Sequence, residues 1–340
     1  MSERTLRLVG VGALVVLALL VPFLFGPYRV GQFTLVLAYA VAVLGLNLLV
    51  GYNGQISLGH GAFFALGAYT AALLIEKAGL PYLLTLPIAG VVAFAVGFLF
   101  GVPALRLRGL YLALVTLGLA IALPQLIKRF DGLTEGTQGL TVEQPTSPSW
   151  LPFADDQFLY LLTLLVAAVM FVAAWSLMRS QAGRAIKAVR DGEIPASTLG
   201  INLASTKTRV FALSAGYAGV AGALYVFAIG FVAPEAFTVT ISLAFLAAIV
   251  VGGLATIVGA VFGALFIEFV PVYASDVNDA LTGVIYGGVL ILFMYLLPDG
   301  AVGLLRRIGR LVTRRPAAPT EAERRPAVAP SGPRVPAGKT

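Results

Sequence analysis

The sequence predicts an all-α fold: a polytopic integral membrane protein with about ten transmembrane helices in two inverted halves of five helices each. Three observations support this class. Of the 340 residues, 59% are hydrophobic and 11% are charged, whereas about a quarter of the residues of a soluble domain are charged. Apolar runs of about 20 residues, the length that crosses a bilayer core of roughly 30 Å, recur as far as Pro298. Basic residues are also sorted into alternate loops, as in other membrane proteins.

Helix-breaking residues divide the apolar runs into ten predicted spans. They are 6–26, 33–50, 58–76, 83–102, 109–127, 158–178, 209–231, 239–255, 257–273 and 281–298. The first run resembles a secretory signal, but its length and the lack of a small-residue cleavage site favour a retained span. Residues 1–305 therefore form one predicted transmembrane domain. Residues 306–340 are rich in Arg and Pro and are predicted to be a disordered, basic cytoplasmic tail.

The charged residues predict the orientation. With the N-terminus in the cytoplasm, the inner basic residues are Arg106, Arg108, Arg179, Arg184, Lys187, Arg190, Lys207, Arg209, Arg306, Arg307 and Arg310. The outer acidic residues are then Asp131, Glu135, Glu143, Asp155, Asp156, Glu235, Asp276 and Asp279. This sorting predicts a multi-pass protein of the cytoplasmic (inner) membrane, with an even number of spans and both termini cytoplasmic. Because the net charge of +7 lies in these loops and the tail, no basic stripe remains for nucleic acid.

Residues that could support catalysis or bind a metal are scarce. The chain has no cysteine and one histidine, and most carboxylates lie on predicted outer loops, which argues against an enzyme or a metal site. The chain end, 338–340, resembles the close of a phosphate-binding loop, but Pro333 replaces the required glycine. We therefore expect no catalytic residue, metal or cofactor, and any ATP hydrolysis must come from another subunit.

A glycine-rich stretch, 45–67, joins the second and third spans. Its most informative residues are Gly51, Asn53, Gln55, Ser57 and His60. Glycine and small polar residues do not continue a helix without cost, and irregular backbone in a membrane needs protein or a water-filled cavity around it. We therefore expect a broken segment beside a solute path, although a plain inner loop with close helix packing stays open. For His60 alone, a packed, hydrogen-bonded histidine is favoured over one that touches solute.

A second glycine-rich stretch, 249–264, lies at the corresponding place in the other half of the chain. Paired glycine-interrupted segments point to a site at the interface of a repeat, and an odd number of spans in each half makes that repeat inverted. Close packing through small residues, without a repeat, is the alternative. The candidate substrate path comprises Gly51, Asn53, Gln55, Ser57, His60, Thr116, Gly252 and Gly253.

The longest inner loop, 179–208, is predicted to hold two short helices. In the second, Glu193 lies at the positive end of the helix, Pro195 suits its first turn and Gly200 ends it. The apolar residues of this region are Ile194, Leu199 and Ile201. Apolar residues on a short inner helix suggest docking to a partner, and a helix that lies on the lipid surface is the alternative.

Six segments carry a resemblance to a known family. They are 46–67, 109–117, 135–140, 183–225, 251–263 and 286–300. Together they span nearly the whole membrane region, and they resemble the permeases of branched-chain amino-acid ABC importers of the LivM type. Two features depart from that pattern: Pro195 stands where relatives carry a helix former, and the Arg/Pro-rich tail is not shared.

The resemblance implies a permease subunit that works with several partners in the lipid membrane. These are a second homologous permease subunit, two cytoplasmic ATP-binding subunits and an extracytoplasmic solute-binding protein. It also implies that 183–202 holds the segment that sits in a groove of the ATPase. The candidate coupling residues are Arg184, Arg190, Asp191, Glu193, Leu199 and Gly200.

We therefore expect a permease that moves leucine, isoleucine and valine by alternating access. Related permeases also carry urea or short amides, which stays an alternative. An ion-coupled secondary transporter is a more distant alternative, because intramembrane charges normally mark ion pathways. Here Glu268, expected near a span end, is the only such charge in the candidate lining.

Overall fold

The structure of the chain is a computed structural model that describes residues 16–104, 109–278, 281–297 and 300–304. The helices are α1 (Pro27–Asn47), α2 (His60–Glu76), α3 (Tyr82–Ala104), α4 (Leu110–Arg129), α5 (Asp155–Arg179), α6 (Gln181–Asp191), α7 (Glu193–Thr198), α8 (Leu203–Ile229), α9 (Val239–Gly252), α10 (Gly259–Val277) and α11 (Thr282–Leu296). Residues 16–24 and 300–304 are also helical, and short turns of helix occur at Asp131–Thr134 and Pro234–Phe237. The predicted all-α class is confirmed.

Seven helices are long and apolar enough to cross a membrane. They are Pro27–Tyr52, Tyr82–Val102, Leu110–Arg129, Asp155–Arg179, Leu203–Ile229, Gly259–Val277 and Thr282–Leu304. Helices α2 and α9 are apolar but shorter, because α2 begins after the first glycine-rich stretch and α9 ends at the second. The first predicted span begins outside the described residues, so the count of ten and the inverted halves stay predictions. Other predicted features outside the described residues are Arg106, Arg108, Asp279, Arg306, Arg307, Arg310 and the tail 306–340.

Helix α10 differs from its predicted span in a way that matters for Glu268. The helix continues to Val277, four residues beyond the predicted end at 273. Glu268 is therefore the middle residue of this 19-residue helix, and the expectation that it lies near a span end was wrong. The prediction failed because the polar residues Ser275 and Asp276 extend the helix although they end the apolar run.

Helix α8 forms the centre of the bundle and packs against α1, α2 and α3. Glycine permits the closest of these contacts, since a Cβ atom on Gly67 of α2 would collide with the backbone of Gly219 of α8. Such van der Waals contact between small residues holds membrane helices together, because lipid tails are as apolar as the helix surface. Aromatic rings fill the space nearby, where the ring centroid of Phe64 lies 5.4 Å from that of Tyr225 and 5.3 Å from that of Phe245.

A small antiparallel sheet, which the sequence did not predict, anchors the long loop between α4 and α5. Strand β1 (Leu140–Thr141) pairs with strand β2 (Phe231–Val232), which directly follows α8. Beside it, the N–H of Val142 donates a hydrogen bond to the carbonyl of Gly230 at 2.9 Å. The loop therefore belongs structurally to the end of the central helix.

Ion pairs gather the predicted outer loops at one end of the bundle. Lys77 pairs with Glu135 at 3.1 Å, and Lys128 pairs with Glu235 at 2.7 Å. The hydrogen bond from Lys128 holds the pKa of the Glu235 carboxyl below its ordinary value. The predicted inner loops contact one another at the opposite end, where the candidate site lies.

Candidate functional site

The apolar helix α1 ends in a turn of π-helix at Leu48–Tyr52, and no regular structure follows until α2 begins at His60. Residues 48–59 are here termed the first break. The N–H of Gly54 donates a hydrogen bond to the carbonyl of Val50 at 3.2 Å, and Gly54 has a φ of +74°. This left-handed conformation suits glycine, which has no Cβ atom. The predicted interruption of the helix is therefore confirmed.

Thr116 of α4 holds the end of the first break in place. Its hydroxyl accepts a hydrogen bond from the N–H of Leu58 at 2.9 Å and donates one to the carbonyl of Ala113 at 3.0 Å. The hydroxyl of Ser57 accepts a hydrogen bond from the N–H of Gly59 at 3.3 Å. Both N–H groups lie outside regular helix, so these bonds meet the requirement that irregular backbone in a membrane be satisfied by protein. The structure thus brings together two predicted path residues, Ser57 and Thr116.

A second break separates α9 from α10. Residues 253–258 are here termed the second break, which follows the end of α9 at Gly252. Gly253 and Ala255 have φ values of +116° and +56°. The hydroxyl of Thr256 donates a hydrogen bond to the carbonyl of Gly253 at 2.6 Å. A left-handed alanine is strained unless its surroundings hold it, so contacts to this segment matter.

The two breaks meet at Asn47, the last residue of α1, which is 1% exposed. Its Oδ1 accepts a hydrogen bond from the N–H of Ala255 at 2.9 Å, and its Nδ2 donates one to the carbonyl of Thr256 at 2.8 Å. The backbone of Gly51 lies directly against this contact, since a Cβ atom there would collide with the Asn47 amide. Asn47 was not among the predicted path residues, although a primary amide at the end of a long apolar run must find buried partners.

Two other predicted path residues are buried within the protein. His60 is 1% exposed, its Nε2 lies 2.8 Å from the carbonyl oxygen of Ala42, and its ring meets Phe245 edge-on at 5.8 Å. These contacts are those of the packed histidine that the sequence favoured. Asn53 is 3% exposed, and its amide nitrogen and oxygen form no hydrogen bond within the described part of the chain. A role for either residue in a solute path stays a prediction.

Helices α6 and α7 are the two short helices predicted in the inner loop. Glu193 begins α7, and its carboxylate pairs with Lys207 at 2.6 Å. Gly200 follows α7 with a φ of +80°, as expected of a glycine that ends a helix. Ile194 and Leu199 are 79% and 78% exposed. The region therefore presents two large apolar side chains that nothing in the described chain covers.

Of the predicted coupling residues, Arg190 lies against the first break. On α6, Arg184, Arg190 and Asp191 are exposed. A Cβ atom on Gly54 would lie 3.4 Å from Cγ of Arg190. The side-chain amide of Gln55 donates a hydrogen bond to the carbonyl of Lys207 at 3.2 Å. The inner helices, the first break and, through Asn47, the second break thus form one connected region.

A cleft of about 700 Å³ opens between α1, α10 and α11. Its lining is mostly aromatic and aliphatic: Phe25, Arg29, Phe33, Val251, Phe262, Leu265, Phe266, Phe269, Val270, Tyr273, Phe293 and Ala301. Val251 immediately precedes Gly252, so the cleft reaches the start of the second break. Within the described chain, none of the predicted path residues lines it.

Comparisons with known proteins identify the family. The model of the family described as "Branched-chain amino acid transport system / permease component" matches residues 28–294. The chain is 36% identical to the high-affinity branched-chain amino acid transport system permease protein LivM of Escherichia coli (strain K12) over 317 residues, covering 86% of this chain and 74% of that protein. It is 26% identical to LivH of Salmonella typhimurium, covering 79% and 92% of the two chains, and 28% identical to BraD of Pseudomonas aeruginosa, covering 78% and 91%. No solved structure matches the chain. The chain belongs to the family of permease components of branched-chain amino acid transport systems.

Proposed function

We propose that the chain is the permease subunit of an ATP-binding-cassette importer that translocates leucine, isoleucine and valine across the cytoplasmic membrane by alternating access. The names of the LivM, LivH and BraD relatives support this substrate class over urea or short amides. The observation that carries the mechanism is a chain of contacts that begins at α7. Glu193 of α7 pairs with Lys207, whose carbonyl accepts a hydrogen bond from Gln55 of the first break, and Asn47 bonds to Ala255 of the second break. Members of this family are transport components rather than enzymes, so ATP hydrolysis is assigned to partner subunits.

The proposed topology has ten spans in two inverted halves of five, with both termini in the cytoplasm. Basic residues at the end of the bundle with α6 and α7 are Arg184, Lys187, Arg190 and Lys207. Acidic residues in the loops at the other end are Asp131, Glu135, Asp155 and Glu235. The positive-inside rule assigns the first end to the cytoplasm. Residues 306–340 then form a cytoplasmic tail whose composition favours disorder.

The proposed assembly pairs this chain with a second homologous permease, two cytoplasmic ATP-binding subunits and an extracytoplasmic solute-binding protein. Ile194 and Leu199 supply apolar anchors, and charged Arg184, Arg190 and Asp191 lie nearby on α6. An apolar centre with a charged rim suits a groove on a soluble protein better than a lipid surface. We therefore assign this surface to an ATP-binding subunit.

In the proposed cycle, closure of the ATP-binding subunits moves α7, and the movement reaches the breaks by contact. Gln55 and Lys207 connect the inner loop to the first break, and Asn47 connects the first break to Ala255 in the second. Both breaks therefore shift together, and the halves of the bundle rock around a path beside Gly51 and Gly252. Glycine at these positions allows close approach of backbone on either side of the path.

Leu199→Asp tests the coupling surface in the permease purified with its native partner subunits and reconstituted in proteoliposomes. The variant should fold, because Leu199 is exposed. Replacing an apolar anchor by a charge lowers the binding free energy of an interface by about 2 kcal/mol or more, which weakens binding roughly thirtyfold. We therefore expect leucine uptake and the stimulation of ATPase activity by loaded binding protein to fall by about that factor.

Leu199→Met is the matched control, since it keeps an apolar side chain of similar size and should retain nearly full activity. Wild-type uptake and ATPase stimulation in Leu199→Asp would contradict the assigned coupling surface. Absence of leucine uptake by the wild-type complex would contradict the proposed substrate class instead.

A further inference from the structure

The cleft between α1, α10 and α11 has a wall of aromatic rings. The ring centroids of Phe25 and Phe33 lie 5.5 Å apart, and those of Phe33 and Phe269 lie 5.4 Å apart. The ring of Phe269 stacks on that of Tyr273 at 6.1 Å. All four rings line the cleft, so the wall is a continuous row. Inside a bilayer an apolar cleft of this kind is filled by a lipid tail or by another protein helix.

The dimensions of the cleft distinguish between these two occupants. Phe262 and Tyr273, which both line it, are eleven residues apart on α10, or about 16 Å along the helix. A volume of about 700 Å³ over about 16 Å gives a mean cross-section of about 40 Å², equivalent to a circle about 7 Å across. A helix with its side chains is about 10–12 Å wide and does not fit inside. A single lipid tail is narrower, and each leaflet contributes about half of the roughly 30 Å bilayer core, so one tail matches the length.

A cation is held at one end of the cleft. Nη1 of Arg29 donates hydrogen bonds to Oε1 of Gln32 at 3.1 Å and to the hydroxyl of Tyr273 at 3.4 Å. The guanidinium carbon of Arg29 lies 5.9 Å from the centre of the Tyr273 ring. Both partners are neutral, and Arg29 forms no ion pair with any residue that the structure describes. Lys77 and Lys128, at the same end of the bundle, each pair with a glutamate. Among these cations, Arg29 is therefore the one positioned to bind an external anion.

The backbone adds positive potential beside Arg29. Helix α1 begins at Pro27, and its N-cap is Gly26, which has no side chain to bond to the first N–H groups of the helix. Free N–H groups and the helix dipole favour an anion at this end. Phe25 and Arg29 lie on either side of this helix start, and both line the cleft. The described lining contains no second charged residue. The cleft therefore matches an anion with a long apolar tail, and it offers no carboxylate to the ammonium group of an amino acid.

We propose that the cleft binds an anionic phospholipid, with its phosphate on Arg29 and one tail along the aromatic row. Guanidinium groups bind phosphate oxygens through paired, charge-assisted hydrogen bonds. Arg29 and Asn47 are eighteen residues apart on α1, so about 27 Å of helix separates the headgroup from the breaks. The proposed topology then places this lipid in the outer leaflet, and the inference uses the proposed function for that choice of leaflet alone. The tail extends toward Val251, which lines the cleft and precedes the second break.

Lipid binding to the delipidated, detergent-purified permease complex tests this site. By native mass spectrometry, dioleoyl phosphatidylglycerol should bind the wild type about tenfold more tightly than dioleoyl phosphatidylcholine, which has the same tails and no net charge. Arg29→Gln should lose this preference, because glutamine keeps a hydrogen-bonding side chain without the charge, and Arg29→Lys should keep most of it. Arg129→Gln is the matched control and should bind lipid as the wild type does, because Arg129 is an exposed cation at the same end of the bundle that does not line the cleft.

A second variant tests the tail and does not depend on the folding of Arg29→Gln. Leu265→Trp fills part of the cleft and leaves Arg29 in place, so it should weaken the binding of both lipids. Glycerol 1-phosphate, which has the headgroup charge without tails, should not displace phosphatidylglycerol, and neither should millimolar leucine.

Four results would overturn the proposal. They are no preference for phosphatidylglycerol in the wild-type complex, an unchanged preference in Arg29→Gln, unchanged binding in Leu265→Trp, and displacement of the lipid by glycerol 1-phosphate or by leucine. Displacement by glycerol 1-phosphate would indicate a site for free anions, and displacement by leucine would indicate a solute site. None of these measurements involves transport, so their failure would leave the proposed function standing, and a wild-type complex that does not transport leucine would count against the proposed function itself.

Discussion

Asn47→Ala removes both hydrogen bonds that join the two breaks. The variant leaves the partly buried N–H of Ala255 and carbonyl of Thr256 without this partner, and an unpaired group costs up to about 1–3 kcal/mol when it is fully buried. Interhelical hydrogen bonds in membrane proteins are often weaker, averaging about 0.6 kcal/mol. The left-handed φ of Ala255 adds to the loss once its N–H is released. We therefore expect the free energy of unfolding to fall by about 2–4 kcal/mol and leucine uptake to fall with it.

Equilibrium unfolding of the purified permease in mixed micelles measures this loss, and uptake by proteoliposomes measures its functional consequence. Thr70→Ala is the control, because the hydrogen bond of the Thr70 hydroxyl within the described chain goes to the carbonyl of Leu66 in its own helix. This variant should change stability by less than about 1 kcal/mol. If Asn47→Ala lost no more stability than Thr70→Ala and transported normally, the assignment of Asn47 as the link between the breaks would be refuted.

Two further predictions concern the bundle and its orientation. Gly67→Ala should lower the free energy of unfolding by about 1–3 kcal/mol, because the added methyl group collides with the backbone of Gly219. Gly118→Ala is the control and should be neutral or stabilising, because nothing lies within 4 Å of the added methyl group. Equal effects at both sites would contradict the close approach of α2 and α8. Because the chain has no cysteine, the single-cysteine variants Trp150→Cys and Arg184→Cys report topology. A membrane-impermeant maleimide added to intact cells should label Trp150→Cys and not Arg184→Cys. Labelling of both variants would contradict the proposed orientation.

Much of the fold follows from local signals in the sequence. The long apolar runs fix the class, since few structures other than a helix satisfy backbone hydrogen bonds inside a bilayer. The first break was predictable because glycines and polar residues interrupt an apolar run near Gly51. The ends of α7 were predictable because Glu193 and Gly200 are typical of a helix start and a helix stop. Each signal lies within a few residues of the feature that it predicts.

The contacts between distant segments could not be predicted in this way. Asn47 and Ala255 are separated by 208 positions, and a helix that is apolar on every side carries no stripe to show which neighbour it faces. The pairing of β1 with β2 was missed because each strand has two residues, too few for an alternating pattern. The position of Glu268 within its helix was misjudged because hydropathy locates an apolar run and not the end of its helix.

The distribution of buried residues bears on which parts move in the proposed cycle. Helix α8 is buried along most of its length against α1, α2 and α3, while α11 has no buried residue within its described range. A closely packed centre resists deformation, because small shifts in it create overlaps or cavities. The second break packs against the chain beyond α11, since a Cβ atom on the buried Gly300 would come within 2.6 Å of the backbone N of Gly253. The second break therefore lies where the packed centre meets α10 and the less buried α11, and hinge motions use such short segments, which can absorb changes in φ and ψ. In the proposed cycle, we therefore expect the second break to absorb part of the change in φ and ψ when the halves of the bundle rock.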